Sequence, residues 1–242
     1  MTKIFVFLTD SLSETDFENI EKALKNSSFS ESVQEVLSKK HEQKKRESIL
    51  VRALLYSAYT AQCGNPPPPL KKTRSGAPFL KGSTRISLSH TRGAVAVLLS
   101  NERRYGFGVD IEGGAVALPR AERIESRFLK GLRDGPAFSD AELFLATLAD
   151  ADALSFQFSS LLKGVPTDGF LARFTRAEAI LKSTGRGFEN ASRLSRLSSF
   201  AKTETVGIVN ERGDSFVLSY AKRSLFFSFE NNSEVIPWQK NI

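Results

Sequence analysis

The sequence predicts an α+β fold of two halves with similar element order, each pairing a small, mostly antiparallel sheet with one long helix. Three observations predict it. Short runs of β-forming residues cluster in two separate stretches, 85–112 and 203–229. One strong helix former stands in each half, at 44–62 and at 167–183. Gly, Pro and polar turn residues punctuate the intervals between them. With 242 residues, 40% of them hydrophobic, the chain has enough apolar material for a sizeable core.

In chain order, 4–8 is a short apolar run that reads as a first strand, and 11–40 carries helix-start signals at Ser13 to Asp16. The helix 44–62 places Ile49, Ala53 and Tyr56 on one stripe, with Leu50, Leu54 and Ala61 beside it. Pro66 to Pro69 stop any helix and stiffen a loop over 63–78. Three strands are then expected at 85–89, 93–100 and 104–112.

In the second half, Pro119 suits the first turn of a helix to about Leu129, and a further helix is expected at 139–148. The interval 150–169 gives no clear pattern. The helix 167–183 lines Phe170, Phe174, Ala177 and Leu181 on one face and is closed by Gly185 and Gly187. A helix near 191–201 follows. Strands at 203–209, 215–221 and 224–229, with a hairpin turn at 211–214, complete the expectation.

The formal net charge of +7 and pI near 9.5 favour acidic partners, whether phosphate-rich ligand, nucleic acid or acidic protein. Cys63 is the single cysteine, which excludes an intramolecular disulfide framework and a thiolate-rich metal site, and implies a reducing, cytoplasmic setting. The apolar run 4–8 ends at Thr9 and Asp10, and no run approaches the roughly 20 apolar residues of a membrane span. Neither export nor membrane insertion is expected.

Asp110 and Glu112 lie two apart in a predicted strand, so their side chains leave the same face, while Val109 and Ile111 point the other way. Glu178 and Lys182 are i and i+4 on a helix, flanking its apolar stripe. If helix and strand pack together, three carboxylates converge, a hard-oxygen set suited to Mg²⁺ beside a substrate phosphate. The alternative is that Asp110 and Glu112 are solvated strand-end charges and Glu178 with Lys182 a routine helix ion pair; spacing alone leaves both open. Ser89, His90, Thr91, Arg92 and Gly93 form a candidate phosphate cradle, against the commoner case of a turn-capping serine beside a surface histidine. Lys44, Lys45, Arg46 and Arg52 either bind phosphates or form the solvated face of an amphipathic helix.

Taken together and in order, Ile86-Ser-Leu-Ser-His90, Gly108-Val-Asp-Ile-Glu112 and Phe174-Thr-Arg-Ala-Glu-Ala-Ile-Leu-Lys182 with Gly185-Arg-Gly187 resemble the signatures of the 4'-phosphopantetheinyl transferase superfamily. The match resembles its larger, monomeric, pseudo-dimeric type, the surfactin-synthetase-activating kind, over about 44–188. The resemblance implies halves at 1–106 and 107–242 with the active site between them. It implies that Asp110, Glu112 and Glu178 coordinate Mg²⁺ and that Lys182 reaches the pyrophosphate of coenzyme A. Ser89 and His90 match the family's coenzyme A contacts, and Arg46 and Arg52 its basic, phosphate-holding helix. Glu178 is the candidate general base, a carboxylate able to accept a serine proton. The implied partner is an acyl or peptidyl carrier protein, with no nucleic acid and no membrane. The sequence departs from the family's pattern at Phe174 (often Trp), Ala177 (often Lys) and Gly76-Ala-Pro78 (a Gly-Lys-Pro element), and its spacing suggests an insertion within 132–169. The competing expectations are a degenerate member that binds coenzyme A or a carrier without transfer, and a basic nucleic-acid-binding module.

Overall fold

A strand apolar on both faces must be covered on both sides, and β1 (Thr2–Leu8) is such a strand. The computed structural model describes residues 1–38, 40–114, 129, 132, 140–161, 165–166 and 169–225, and the architecture is α+β. On one side of β1, Phe5 and Phe7 pack with α1 (Glu14–Lys25), α2 (Ser30–Leu37) and α3 (Glu42–Cys63); on the other, Ile4 and Val6 pack against a second sheet. The start signal read at Ser13 is a capping box, with Asp16 N donating to Ser13 Oγ at 3.1 Å and Ser13 N to Asp16 Oδ2 at 3.2 Å.

After α3 come a small hairpin of β2 (Leu70–Lys72) and β3 (Pro78–Leu80), inside and just after the expected loop, and then β4 (Arg85–Thr91), β5 (Ala94–Ser100) and β6 (Tyr105–Gly113). The last three agree with the expected strands to within two residues. The expected helix at 119–129 lies outside the described residues, apart from Leu129.

The stretch expected to be helical at 139–148 is instead β7 (Ala141–Asp150), which pairs parallel with β1 and antiparallel with β8 (Ser155–Ser160). Its Ala, Glu and Leu content favours a helix, but the free edge of β1 supplies a hydrogen-bonding partner, and tertiary context overrides propensity. Alternation then serves two layers: Phe144, Ala146 and Leu148 face the helices, Ala141 and Leu143 the second sheet. Phe5 meets Phe144 and Phe158 at centroid distances of 5.3 and 4.8 Å, and Phe7 meets Phe156 at 5.0 Å, which joins β7 and β8 to the core. The first sheet therefore has the order β4-β5-β1-β7-β8.

A short β9 (Val165–Pro166) precedes α4 (Phe170–Lys182), which starts three residues later than expected and ends before Gly185 at φ 70°. The helix expected at 191–201 divides into a 3₁₀ stretch (Gly187–Arg193) and α5 (Leu194–Phe200). β10 (Ala201–Val209) and β11 (Ser215–Ser224) close the second sheet, in the order β6-β11-β10-β9. β11 runs on through Ala221 to Ser224, and the rest of the strand expected at 224–229 lies outside the described residues beyond Leu225. The four layers are thus α1–α3, the first sheet, the second sheet, and α4 with α5. No described helix is long and apolar enough to cross a membrane.

Candidate functional site

β4 is an outer strand of the first sheet and β6 one of the second, and they meet along a seam. An outer strand leaves backbone amides facing outward, and these need partners when buried. Serines of β4 supply them: Ser87 Oγ accepts from Val109 N at 3.0 Å and Ser89 Oγ from Ile111 N at 3.3 Å.

The other face of β6 carries α4, and two glycines set how close it lies. A Cβ on Gly108 would stand 1.9 Å from the carbonyl oxygen of Ala179, and one on Gly106 would stand 2.1 Å from that of Ser183. Only glycine permits this approach, and it delivers the last turns of α4 onto Asp110.

Asp110 is 2% exposed. Its Oδ1 accepts from Lys182 Nζ at 2.6 Å and from Ser89 Oγ at 2.7 Å, while Lys182 Nζ also donates to Ser89 Oγ at 2.9 Å. Lys182 thus ion-pairs with the strand carboxylate seventy-two residues away, and Asp110 is not a solvated strand-end charge. Burial, then repulsion from Asp110, raises the Glu112 carboxyl above its ordinary range, and Thr91 Oγ1 donates to its Oε2 at 3.2 Å. Glu178 is pushed up to about 7 by burial and by the charges of Asp110 and Glu112, against the opposing pull of Lys182. Ser89, Asp110, Glu112, Glu178 and Lys182 are therefore brought to one place.

His90 stands beside this group, on the α3 side. Its Nδ1 is 3.1 Å from Glu47 Oε2 and its Nε2 is 3.4 Å from Ser48 Oγ. Ser48 is buried within a helix and so is poorly placed as a nucleophile despite the serine–histidine–glutamate order. Glu47 was not among the residues singled out from sequence. Its signal is that an acid shares the buried stripe of Val51, Leu54 and Ala58 on α3.

Arg46 and Arg52 are engaged elsewhere. Arg46 Nη1 is 2.5 Å from Glu14 Oε2, and its guanidinium lies 4.3 Å from the Phe17 ring centroid. Arg52 is buried, donating to Ser32 Oγ at 3.1 Å and to the Ser48 carbonyl at 2.6 Å. Burial lowers its pKa, and the Glu35 charge opposes that shift. Ala177 is fully buried in the core beneath α4.

A pocket of about 350 Å³ opens along the seam, walled by the β2–β3 hairpin, the first half of β4, Tyr105, Phe107 and the turn after α4. Ser75 Oγ donates to the Gly185 carbonyl at 2.7 Å and ties the hairpin to that turn. Lys182, Arg85, Arg103 and Arg186 line the pocket, Ala77 is part of its wall, and no aspartate or glutamate is among its described lining residues.

Among the described residues no three acidic, imidazole or thiol groups already stand as a coordination shell. The donor set nevertheless fits a hard divalent cation. Asp110 Oδ2 is buried without a hydrogen-bond partner, and two further carboxylates lie near enough for their mutual repulsion to raise their proton affinity.

Comparison with known proteins gave no match, neither to a family model nor to a curated protein.

Proposed function

We propose that the protein is a Mg²⁺-dependent 4'-phosphopantetheinyl transferase, moving the phosphopantetheine arm of coenzyme A onto a serine of an acyl or peptidyl carrier protein. The observation that carries the reading is the meeting of Ser89, Asp110 and Lys182 beside Glu112 and Glu178, at the mouth of a cationic pocket free of described carboxylates.

The division into halves near 106/107 draws support from strand order. Leaving aside the separate β2–β3 hairpin, the first-sheet strands in 1–106 run β1, β4, β5 along the chain and pair antiparallel in the order β1-β5-β4; β6, β10 and β11 likewise pair in the order β6-β11-β10. α3 and α4 take equivalent places on the outer faces. β7 and β8 fall in the stretch read as an insertion and extend the first sheet.

Asp110, Glu112 and Glu178 would hold the Mg²⁺, which when bound supplies positive charge to the pyrophosphate oxygens. Lys182 binds a pyrophosphate oxygen and offsets charge that builds as the bisphosphate leaves. The pantetheine arm must stay accessible to the carrier, so the enclosed pocket takes the nucleoside end. Glu178, a carboxylate beside the reacting phosphate, accepts the proton of the carrier serine. The serine oxygen forms its bond to the β-phosphorus, the bond to the bridging oxygen breaks, and adenosine 3',5'-bisphosphate departs with the electron pair. The basic charge of the chain favours the acidic surface of a carrier.

The test is incubation with coenzyme A, Mg²⁺ and a panel of apo carrier proteins, read by the intact mass of each carrier. Addition of the phosphopantetheine mass to at least one carrier is expected; no addition across a broad panel favours a degenerate binding protein.

A further inference from the structure

Pro66, Pro67, Pro68 and Pro69 join α3 to β2, and none of them lines the pocket. Helix α3 ends at Gly64, whose φ of 75° turns the chain out of the helix. Each proline then fixes its own φ near −65° and pushes the residue before it away from helical geometry. Pro66, Pro67 and Pro68 are under both constraints and the peptide bonds are trans, so the run is a rod of polyproline II helix with three residues per turn.

Three residues per turn give the rod three edges. Pro67 and Leu70 form the buried edge, and Ser28 Oγ, from the connection between α1 and α2, donates to the Pro67 carbonyl at 2.6 Å and fastens it. Pro66 and Pro69 form a second edge, and both are exposed. Asn65, exposed, and Pro68, half-buried, form the third. Lys71 is also exposed and stands about 6 Å beyond Pro69 at the rise of an extended chain, while its neighbour Lys72 ion-pairs with Glu35. A strap that only tied α3 to β2 would need the buried edge alone. The other two edges carry no proline N–H and cannot pair as a strand; they offer pyrrolidine rings and carbonyl oxygens on a backbone already ordered before any partner arrives. Such rings pack on aromatic side chains, and a cation at a fixed offset from them calls for a carboxylate at the end of the same groove.

We propose that residues 65–71 are a docking site for a protein domain of the SH3 type, whose aromatic-lined groove takes the edges of Pro66 with Pro69 and of Pro68, and whose acidic pocket takes Lys71. The site is independent of the transferase reading.

The test is a nuclear magnetic resonance titration of two isotope-labelled SH3 domains, one with an acidic pocket beside its groove and one without, by the full chain. Wild type is compared with Pro69→Ala, Lys71→Glu and Lys22→Glu, the last an exposed charge on α1. Melting temperatures establish that each variant is folded. The acidic-pocket domain is expected to bind wild type with a Kd on the order of 10–100 μM, with shifts at its groove aromatics, and at least about fivefold more tightly than the other domain. Pro69→Ala and Lys71→Glu should each weaken binding at least about tenfold, and Lys22→Glu less than about twofold. No shift of the acidic-pocket domain at chain concentrations up to about 0.5 mM, wild-type affinity kept in both Pro69→Ala and Lys71→Glu, or an equal loss in Lys22→Glu overturns the docking site. Coenzyme A is absent throughout, so each of these outcomes leaves the transferase reading as it stands.

Discussion

Replacing Glu178 by glutamine should stabilise the metal-free protein at alkaline pH while abolishing transfer. In the folded chain the Glu178 carboxyl is raised from 4.5 to about 7, first by burial and then by Asp110 and Glu112. Below pH 4.5 the group is protonated whether the chain is folded or not. As pH rises from 4.5 toward 7 the unfolded chain releases a proton that the folded chain retains, so stability falls across that window by up to about 1.4 kcal/mol per pH unit, about 3 kcal/mol in all. Above 7 both states are ionised and the loss is constant. Glutamine keeps the shape without the charge and should recover about 1–3 kcal/mol at pH 8, which raises the Tm of a chain this size by about 3–9 °C. The assay is calorimetry in a chelator at pH 8 and at pH 4.5, where the advantage should be nearly gone. Added Mg²⁺ should then stabilise wild type and not the variant, since a ligand stabilises only the state that binds it. A variant that melts below wild type at pH 8, or differs from it equally at both pH values, would refute the assignment of a strained carboxylate cluster.

Gly108→Ala should be severely destabilising, by about 3 kcal/mol or more, because the added methyl meets the backbone of Ala179 and cannot be relieved by side-chain rotation; urea unfolding measures it. The same change moves α4 off β6, so residual folded protein should also lose transfer. Ser89→Ala removes the acceptor for Ile111 N and a partner of both Asp110 and Lys182, and should cost about 1–3 kcal/mol in the same assay.

Local patterns made much of the fold legible. The strands at 85–91 and 105–113 carry period-two apolar residues and the strand at 94–100 a continuous apolar run, all between Gly and polar turns, and α3 carries its stripe through six turns. What escaped is non-local. β7 has helix-like composition and becomes a strand because the edge of β1 and the ring of Phe5 lie waiting in space. Asp110, Glu112, Glu178 and Lys182 were readable as two same-face pairs, whereas the ion pair of Lys182 with Asp110 depends on glycines 106 and 108 that give no charge signal. Arg46 and Arg52 illustrate the opposite limit: a helix pattern gives their spacing but not that Glu14 and Ser32 on neighbouring helices engage them. Arg85 and Arg103 are unremarkable in sequence, and only the seam between the two sheets turns them toward one cavity.

In the proposed transferase, strand β6 and helix α4 together hold one divalent ion next to the ligand's pyrophosphate. Electron paramagnetic resonance with Mn²⁺ as the probe tests it most directly, counting bound ion with and without coenzyme A against a protein-free control. One Mn²⁺ per chain in the presence of coenzyme A, displaced by Mg²⁺ and lost in Asp110→Asn, is the predicted result. Binding no greater than the protein-free control, or equal in wild type and Asp110→Asn, would contradict it.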